Sequence, residues 1–451
     1  MGAGITGLTT ALLLARAGLE VVVLEARHAG AGSTGNSTGK ISALHGTKLS
    51  SITQRHGQAT ARAYAEGNVE GRDWLLRYCD EHDVPTQRHD AYSYAQTSVG
   101  VEAARGEWNA CLQAGLPVRW QETADTPFPF FGGVCLPDQA QFDPALLMHS
   151  LVSEIARHGS HFFSGVRVRS ISGDEPLSIT GSFVNDTISR PFTLNAQRCV
   201  LATGMPILDR GGFFARLTAH RSYCMAFDVP EPATQSMYLS VDAPLRSVRQ
   251  APTGIGERLV VGGAGHVVGQ SEHASGALRE LQDWVQAHYP GAARTHSWAA
   301  QDYATISGLP YAGPLLPRGK KIYVATGYDK WGMTNGVAAS LALSSQILGG
   351  RMDWAAAFAS WSIHDLRAVP TALRLGVRVA RDFATGWATA LLGSRSRPSP
   401  ACTHLGGITT WNQVEGIWEC PLHGSCFGSS GPVLWGPATD ELDCAQSTES
   451  T

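Results

Sequence analysis

The feature that most constrains this chain is the glycine motif Gly2-Ala-Gly4-Ile-Thr-Gly7. The residues after it predict a helix over Leu8–Ala17 and a buried strand over Val21–Leu24, with Glu25 at the tip of that strand. This order is typical of a dinucleotide-binding βαβ unit, in which glycines let the backbone approach a pyrophosphate at the positive end of a helix. The acid accepts hydrogen bonds from ribose hydroxyls. An ordinary glycine turn is the alternative, but it does not explain why helix, strand and acid fall in register.

One part of that unit is missing, because its first strand would precede Gly2 and only Met1 does. That strand normally lies in the middle of the sheet, so its loss leaves two neighbours with unpaired backbone groups. We expect the true start of the protein to lie upstream of Met1. If translation begins at Met1, we expect poor nucleotide affinity or a marginal fold.

Composition indicates a globular chain of about three lobes, since domains average ~150 residues and this chain has 451. Its 35 basic and 38 acidic residues leave a net charge of −3, so no strong field recruits nucleic acid or an anionic membrane. No uncharged apolar run reaches the ~18 residues of a membrane span, and no secretory signal is recognisable. Nine widely spaced cysteines do not suggest a disulfide framework, so we expect a cytoplasmic protein.

Four later stretches indicate how the chain is organised. The loop Gly30–Lys40 is so rich in glycine and hydroxyl residues that we expect its backbone to contact a ligand, with a flexible linker as the alternative. Buried strands are predicted at Cys199–Gly204 and Ile322–Gly327, and strands dominate between Tyr223 and Val261. Alternating strands and helices at both ends, with a β-rich insertion between them, are typical of a two-domain α/β flavoprotein.

Four motifs, in this order, resemble those of the FAD-dependent D-amino-acid oxidase and glycine oxidase superfamily, in its bacterial branch with a C-terminal Rieske domain. They are the opening glycine motif, the loop Ser33–Lys40, Asp138-Gln-Ala-Gln-Phe-Asp-Pro144 and Lys330-Trp-Gly-Met-Thr-Asn-Gly336. The resemblance covers about the whole chain. It implies an α/β fold in which a Rossmann-type FAD domain is interleaved with an antiparallel β substrate domain, followed by a small, truncated β Rieske-like segment.

The resemblance also implies domain boundaries. The FAD domain would comprise residues 1–90, 143–215 and 300–350, and the substrate domain residues 91–142 and 216–299. A helical linker would cover 351–397, with a helical stretch from Pro370 to Leu392 as the tether, and the Rieske-like segment would cover 398–451.

By the same resemblance, FAD lies across the glycine motif, the strand tip and the following loop. A backbone contact from Val168 would reach the adenine, and Gly204 would end a strand near the phosphates. The turn after Lys330 would face the flavin pyrimidine from a helix N-terminus, which stabilises the negative charge that a reduced flavin carries. The FAD-binding residues implied are Gly2, Gly4, Gly7, Glu25, Arg27, Thr34, Gly35, Asn36, Ser37, Thr38, Val168, Gly204, Gly332, Met333 and Thr334.

Two loops near the end each carry a cysteine and a histidine, in Cys402-Thr-His404-Leu-Gly-Gly407 and Cys420-Pro-Leu-His423-Gly-Ser425. Two cysteines on one iron and two histidines on the other are the ligands of a Rieske [2Fe–2S] cluster. Zinc is the chemical alternative, since it also accepts two cysteines and two histidines. The loop sequences resemble Rieske loops more than zinc knuckles, so we predict an iron–sulfur cluster.

Two departures from the Rieske pattern bear on that cluster. The disulfide that joins the two loops in many high-potential Rieske proteins is replaced here by Gly407 and Leu422, and nearby Cys426 is compatible with a plain core thiol. The strands that normally precede the first loop are also missing, since that loop follows the linker Ser394–Pro400 almost directly. We therefore expect a labile cluster, or none.

The resemblance implies oxidation of a C–N bond in an amine or amino acid by hydride transfer to the flavin. A carboxylate substrate would favour an arginine fork, and Arg246, Arg249 and Arg221 are candidates, with a surface arginine as the alternative for each. Electrons would then leave through the cluster to an acceptor protein or quinone. The other hypotheses are a peroxide-forming oxidase with a vestigial metal segment, and a non-catalytic metal-binding protein that has lost FAD.

Some residues imitate functional motifs. Gly263-Ala-Gly265-His-Val-Val-Gly269 follows a strand like a second dinucleotide motif, but no long apolar helix or terminal acid follows, so we predict a strand and turn of the substrate domain. His45 and His266 fall near family motifs, yet a structural histidine is the favoured interpretation for each. Trp331 is compatible with a flavin wall or with core packing.

Overall fold

The computed structural model describes residues 1–184, 190–230, 234–253, 256–270, 274–362, 368–392 and 399–444. Within these ranges the helices are α1 (Ile5–Arg16), α2 (Lys48–His56), α3 (Gln58–Glu81), α4 (Gly100–Ala114), α5 (Pro144–Arg157), α6 (Ala274–His288), α7 (Gly332–Ile347) and α8 (Val369–Leu392). Short 3-10 turns cover Phe213–Ala215 and Asp353–Phe358. The helix predicted over Leu8–Ala17 corresponds to α1, and the helical stretch predicted from Pro370 to Leu392 corresponds to α8, with ends shifted by at most a few residues.

The strands are β1 (Val22–Leu24), β2 (Lys40–Ile41), β3 (Thr86–Tyr94), β4 (Arg119–Gln121), β5 (Gly133–Phe142), β6 (His161–Phe163), β7 (Val166–Ser172), β8 (Leu177–Phe183), β9 (Pro191–Ala196), β10 (Cys199–Leu201), β11 (Leu217–Asp228), β12 (Met237–Ser240), β13 (Ser247–Thr253), β14 (Gly256–Val267), β15 (Ala293–Thr305), β16 (Tyr311–Pro314), β17 (Ile322–Thr326), β18 (Thr410–Asn412), β19 (Ile417–Glu419), β20 (Cys426–Gly428) and β21 (Val433–Trp435).

The FAD domain contains two parallel strand pairs that flank the opening residues. Strand β1 pairs in parallel with β6, and β10 pairs in parallel with β17. Met1 and Gly2 lie between these pairs: the Met1 nitrogen donates to the Val200 carbonyl at 2.8 Å, and the Gly2 N–H donates to the Leu24 carbonyl at 2.9 Å. These two residues therefore stand where the sequence places the end of the first strand, and they join the two halves of the parallel sheet.

The substrate domain is a nine-stranded sheet in the order β15-β11-β14-β13-β12-β3-β5-β2, with β4 on β5. All described pairings are antiparallel except that of β12 with β3. The sheet includes all of β3 and β15, so it extends beyond the predicted boundaries at residues 91 and 299. The stretch Gly263–Gly269, which imitates a dinucleotide motif, overlaps β14. Because β14 pairs with β11 and β13, the prediction of a strand and turn of the substrate domain is confirmed.

Glycines let the helices of the FAD domain approach closely. A Cβ on Gly71 of α3 would lie 2.6 Å from the Thr334 carbonyl oxygen of α7, and one on Gly67 would lie 2.6 Å from the ring of Trp354. Trp354 and Phe358 are buried in the same core cluster as α3 and α7. The turn Asp353–Phe358 thus belongs to the FAD-domain core, whereas the sequence analysis assigned it to the linker.

The C-terminal segment is a four-stranded antiparallel sheet, β18-β19-β20-β21, with a core that includes Cys402, Cys420 and Phe427. Helix α8, predicted as a tether, packs on this segment. Its Val379 joins the core, and its Trp387 Nε1 donates to the Gly406 carbonyl at 3.0 Å. Residues 363–367 and 393–397 of the predicted linker, and residues 398 and 445–451 of the predicted Rieske-like segment, lie outside the described residues. Among the helices that are described, none combines the length and apolarity needed to cross a bilayer.

Candidate active site

A cavity of about 800 Å³ runs through the FAD domain to the substrate-domain sheet. Its size is within the usual range for small-molecule sites, about 300–1,000 Å³. Most residues predicted to bind FAD line it: Gly2, Gly4, Glu25, Arg27, Thr34, Asn36, Ser37, Thr38, Val168, Gly204, Gly332, Met333 and Thr334. Gly7 and Gly35 do not. The structure therefore brings together residues that are more than 300 positions apart in the sequence.

The glycine motif forms the end of the cavity where the diphosphate of FAD is expected, which we call the nucleotide end. Gly2 has φ +88°, and a Cβ there would lie 2.5 Å from the Ala202 carbonyl oxygen. A Cβ on Gly7 would lie 1.9 Å from the Gly2 carbonyl oxygen, so Gly7 serves the packing of α1 on the turn. The first turn of α1 carries no acidic side chain, and its N-cap residue, Gly4, has no side chain of its own to cap it. Thr34 accepts only from the Ile5 N–H, so no carboxylate of the helix opposes an anionic diphosphate at this positive end.

Glu25 lines the same end of the cavity from the tip of β1. Its carboxylate accepts from the Ala3 N–H at 2.8 Å through Oε2 and from the Arg27 N–H at 2.9 Å through Oε1. These bonds fix both oxygens at the cavity wall, and each oxygen keeps acceptor capacity for a ribose hydroxyl. Arg27 donates to the Ala31 carbonyl at 2.7 Å, and burial lowers the pKa of its guanidinium.

The loop Thr34–Thr38 is held by its own hydrogen bonds. The buried Thr34 Oγ1 accepts from the Ile5 N–H at 3.0 Å and so caps the start of α1. The Asn36 side chain donates to the Gly32 carbonyl at 3.0 Å. Gly35 is turned away from the cavity, since a Cβ there would lie 2.5 Å from the Gly30 carbonyl oxygen. The loop therefore presents a rigid backbone to a ligand.

The far end of the cavity is the N-terminus of α7, which has no acidic residue in its first turn and no side-chain cap. His45 lies beside it, stacked on Trp331 with ring centroids 4.4 Å apart. The two His45 nitrogens contact the Tyr64 hydroxyl at 2.8 Å and the Ser42 carbonyl at 2.7 Å. Burial lowers the pKa of His45 to about 3, so its ring is a neutral wall. The Thr334 hydroxyl is bonded to Asn68 at 2.7 Å, which points its side chain into the core.

Cationic side chains line the substrate-domain part of the cavity. Lys40 Nζ donates to the Tyr238 carbonyl and to the Ser247 hydroxyl, both at 2.8 Å. An ammonium has three donors, so one remains. Burial lowers the pKa of Lys40 to about 7, and the Arg249 guanidinium adds to that shift. Lys330 also lines the cavity.

A buried acid accompanies these lysines. Asp302 lines the cavity, and its carboxylate accepts from the Lys330 backbone N–H. Burial raises the pKa of Asp302 to about 7, and the Asp329 carboxylate adds to the shift. Asp329 itself pairs with Lys48 at 2.5 Å. Nothing in the sequence singles out Lys40, Lys48 or Asp302 as functional, although Lys40 and Lys330 stand at the ends of two motifs.

The three candidate arginines lie outside the cavity lining. Arg246 is 3% exposed and pairs with Glu280 at 2.6 Å, and Arg249 is 7% exposed and donates to the Gln250 carbonyl at 2.8 Å. Arg221 is fully buried and pairs through two nitrogens with Glu415 of the C-terminal segment. Burial alone would lower the pKa of Arg221, but the pairing raises it above its ordinary value. None of the three therefore lines the cavity as Lys40 does.

The four predicted cluster ligands come together in the C-terminal segment. Cys402 and Cys420 are buried, and the rings of His404 and His423 lie 5.2 Å apart at 88°. The hydrogen bond between the two thiols lowers the pKa of Cys402 and raises that of Cys420, so Cys402 is the thiol that loses its proton more readily. The thiolate is the form that binds metals.

The histidines also fit a cluster. His423 Nδ1 is buried and has no hydrogen-bond partner among the described atoms, which leaves it free as a ligand, and His404 Nε2 is bonded to Asp209 at 2.8 Å. In the part of the chain that the structure describes, no three His, Cys, Asp or Glu side chains are grouped for a single metal ion. A [2Fe–2S] cluster needs only two protein ligands on each iron, so two pairs, and not one group of three, suit it.

The residues that replace the inter-loop disulfide pack against each other. A Cβ on Gly407 would lie 2.5 Å from the Leu422 side chain, so glycine makes room for that leucine. Cys426 is buried with a raised pKa, and its thiol donates to Gln301 Oε1 at 3.2 Å. In the described residues the sheet of this segment begins after the first loop, and α8 covers that loop. The expected lability of the cluster stays a prediction.

The C-terminal segment contacts both other domains beside the cavity. The Gln301 side chain, 1% exposed, lines the cavity and donates to the Gly424 carbonyl at 2.7 Å, next to His423. The Gly269 N–H donates to Glu419 at 2.9 Å. Residues 433–436, 438 and 439 of the segment line the cavity themselves. Sequence reasoning missed Gln301 because nothing in its surroundings distinguishes it from other strand residues.

Comparisons with known proteins agree with this geometry. The family model of FAD-dependent oxidoreductases, DAO, matches residues 1–346, and that of the Rieske [2Fe-2S] domain matches residues 398–446. The putative Rieske 2Fe-2S iron-sulfur protein YhfW of Bacillus subtilis (strain 168) is 28% identical, over 98% of this chain and 92% of its own length.

Two solved structures share the fold. Glycine oxidase from Geobacillus kaustophilus has a TM-score of 0.64 at 17% identity and covers 80% of this chain and 96% of its own. L-proline dehydrogenase from P. horikoshii has a TM-score of 0.64 at 15% identity and covers 78% of this chain and 93% of its own. The resemblance drawn from the motifs is confirmed, and the hypothesis of a non-catalytic chain that has lost FAD is wrong. The chain belongs to the DAO family of FAD-dependent oxidoreductases and carries a C-terminal Rieske [2Fe-2S] domain.

Proposed function

We propose that this enzyme oxidises the C–N bond of an amine or amino acid and passes the electrons through the Rieske-type cluster to an acceptor protein or quinone. Bound FAD supplies a two-electron acceptor for hydride, and the cluster supplies a one-electron carrier. A one-electron carrier beside a flavin favours such an acceptor over oxygen.

The observation that carries this proposal is the position of Gln301. Its side chain forms part of the FAD cavity wall and donates to the carbonyl of Gly424, the residue after the predicted ligand His423. Its Oε1 also accepts from Arg221 Nη1 at 3.1 Å, which fixes the amide. One buried side chain thus separates the cavity from the second cluster loop. That short separation suits electron exchange between two centres held at fixed positions.

The substrate-domain part of the cavity supports an amino-acid substrate. Lys40 offers a third N–H donor to a carboxylate. Such a charge-assisted hydrogen bond is stronger than a hydrogen bond between neutral groups. The stack of His45 on Trp331 is an uncharged wall beside the N-terminus of α7. These residues orient a small substrate between a cation and the flavin-facing turn. Orientation is the main task of the protein in hydride transfer to a cofactor.

Stopped-flow measurement of flavin reduction against a panel of amines and amino acids tests the proposal. Under anaerobic conditions we expect the flavin band at about 450 nm to bleach with one substrate class, and a quinone to be reduced in turnover. The variant Cys420→Ser removes a predicted cluster ligand. We expect it to keep substrate-dependent bleaching and to lose most quinone reduction.

The matched control is Cys444→Ser, which changes a half-buried thiol of the same segment outside the predicted ligand set and should reduce quinone like the parent. Quinone reduction by Cys420→Ser at the parent rate would contradict the electron route. Peroxide formed in air as fast as substrate is consumed would instead identify an oxidase with a vestigial metal segment.

A further inference from the structure

The indole of Trp435 in the C-terminal segment lies at the nucleotide end of the cavity. Its Nε1 is buried and has no hydrogen-bond partner among the described atoms, although Trp435 lines the cavity. A buried indole N–H normally finds an acceptor, and leaving it without one costs free energy. A missing acceptor at the wall of a ligand cavity indicates that the ligand supplies it.

The surroundings of the indole place that acceptor in the adenosine half of the cofactor. The Arg27 guanidinium carbon lies 4.8 Å from the centre of the Trp435 ring, and a Cβ on Gly32 would lie 3.9 Å from its Nε1. Arg27 is two residues after Glu25, which is positioned for the ribose. Gly32 is two residues before Thr34, which caps α1. The indole therefore lies beside the strand tip and the loop where the ribose and diphosphate of FAD are expected.

The segment is held firmly at this place. Arg167 of β7 donates to the Val433 carbonyl at 3.0 Å, and Arg169 pairs with Asp440. Arg221 lies 4.6 Å from the centre of the Trp435 ring while it pairs with Glu415. The ring thus has two guanidinium neighbours, Arg27 and Arg221, which attract its π face. Such contacts fix the direction of the indole N–H before any ligand binds.

We propose that Trp435 is a cofactor-binding residue, whose indole N–H donates to a ribose or diphosphate oxygen of FAD. The Rieske domain then completes the nucleotide site of the FAD domain, and FAD binding stabilises the docked position of the Rieske domain. This inference rests on the FAD site and is independent of the substrate and the electron acceptor.

Titration of the FAD-depleted full chain with FAD and with ADP tests the proposal, with dissociation constants from fluorescence and calorimetry. Trp435→Phe keeps an aromatic ring and removes the N–H, so we expect both dissociation constants to rise by about 3- to 10-fold, as for one lost hydrogen bond. Trp411→Phe is the control, because Trp411 is 42% exposed, contacts Trp418 edge-to-face in the same segment and does not line the cavity. It should leave both constants unchanged.

Hydrogen exchange of the unmodified chain gives a second readout that does not depend on a stable variant. We expect ADP to slow the exchange of backbone amides in residues 433–440. Equal dissociation constants for the parent and Trp435→Phe, or exchange in 433–440 that ADP leaves unchanged, would overturn the role of Trp435. A parent chain that binds neither FAD nor ADP would instead overturn the cavity assignment itself.

Discussion

The two ends of the cavity are built in different ways. The nucleotide end is formed mainly by backbone from the first 38 residues, with glycines at close contacts and the open N-terminus of α1. The substrate end is formed by side chains from separate strands, among them Lys40 on β2, Gln301 and Asp302 on β15, and Lys330 before α7. Backbone recognition is concentrated in one stretch of sequence, and side-chain recognition is distributed over the fold. The comparison therefore predicts different sensitivities to substitution.

The largest effect is expected at Gly7, where the backbone leaves no room for a side chain. Gly7→Ala places a Cβ 1.9 Å from the Gly2 carbonyl oxygen, and neither atom belongs to a flexible side chain. We expect a loss of more than about 4 kcal/mol in the free energy of unfolding, with no FAD retained on purification. Thermal denaturation and the FAD-to-protein ratio measure these effects.

Gly106→Ala in α4 is the control for this prediction, since a Cβ there would meet nothing within 4 Å. It should stabilise the chain slightly, by about 0.5–1 kcal/mol, because alanine favours helix more than glycine does. A Gly7→Ala chain that binds FAD like the parent would show that the nucleotide end does not depend on close backbone packing, as the comparison of the two ends predicts it does.

Arg221 distinguishes a substrate arginine from a structural one. Arg221→Met keeps an unbranched side chain but leaves Glu415 and Glu419 without their cation, and removing one partner of a buried pair costs about 3–5 kcal/mol. We expect the C-terminal segment to become much more sensitive to limited proteolysis, with little change in substrate affinity. A selective rise in KM with an intact segment would restore Arg221 as a substrate ligand.

Lys40 is the side chain at the substrate end of the cavity that we expect to bind the substrate carboxylate. Lys40→Met removes the cation and should raise the dissociation constant of propionate, a carboxylate without an amine, by about 10- to 100-fold. FAD content should not change, because Lys40 lies on β2 and not in the glycine motif. Difference spectra of the flavin report both quantities. Lys320→Met, at an exposed lysine outside the cavity, is the matched control.

The same contrast explains what could be predicted from the sequence. The residues from Gly2 to Thr38 were recognisable because close backbone approach demands glycine at fixed spacing. The cluster loops were recognisable because only a few residue types, here cysteine and histidine, bind such a metal cluster. Lys40 and Gln301 gave no such signal, since their roles come from the nine-stranded sheet that brings β2 and β15 to one cavity. Arg221 illustrates the reverse error. It lies on β11 of the substrate-domain sheet, where a substrate ligand is expected, but its charge is neutralised by Glu415. A guanidinium in the sequence does not reveal which acid already neutralises it.

The pH dependence of carboxylate binding cannot exceed the effect of Lys40→Met, and it reports directly on Lys40. Burial lowers the pKa of Lys40 to about 7, so the amine is protonated below that pH and loses its charge above it. Propionate stays ionised throughout this range, so we expect its dissociation constant to be flat below pH 7 and to rise by up to about tenfold per pH unit above it. Because the lowered pKa arises from burial beside Arg249, the charge of an arginine in the same place would persist. Lys40→Arg should therefore bind propionate with little change between pH 6 and about pH 9. A parent profile that stays flat to pH 9 would show that another cation of the cavity wall, such as Lys330, holds the carboxylate.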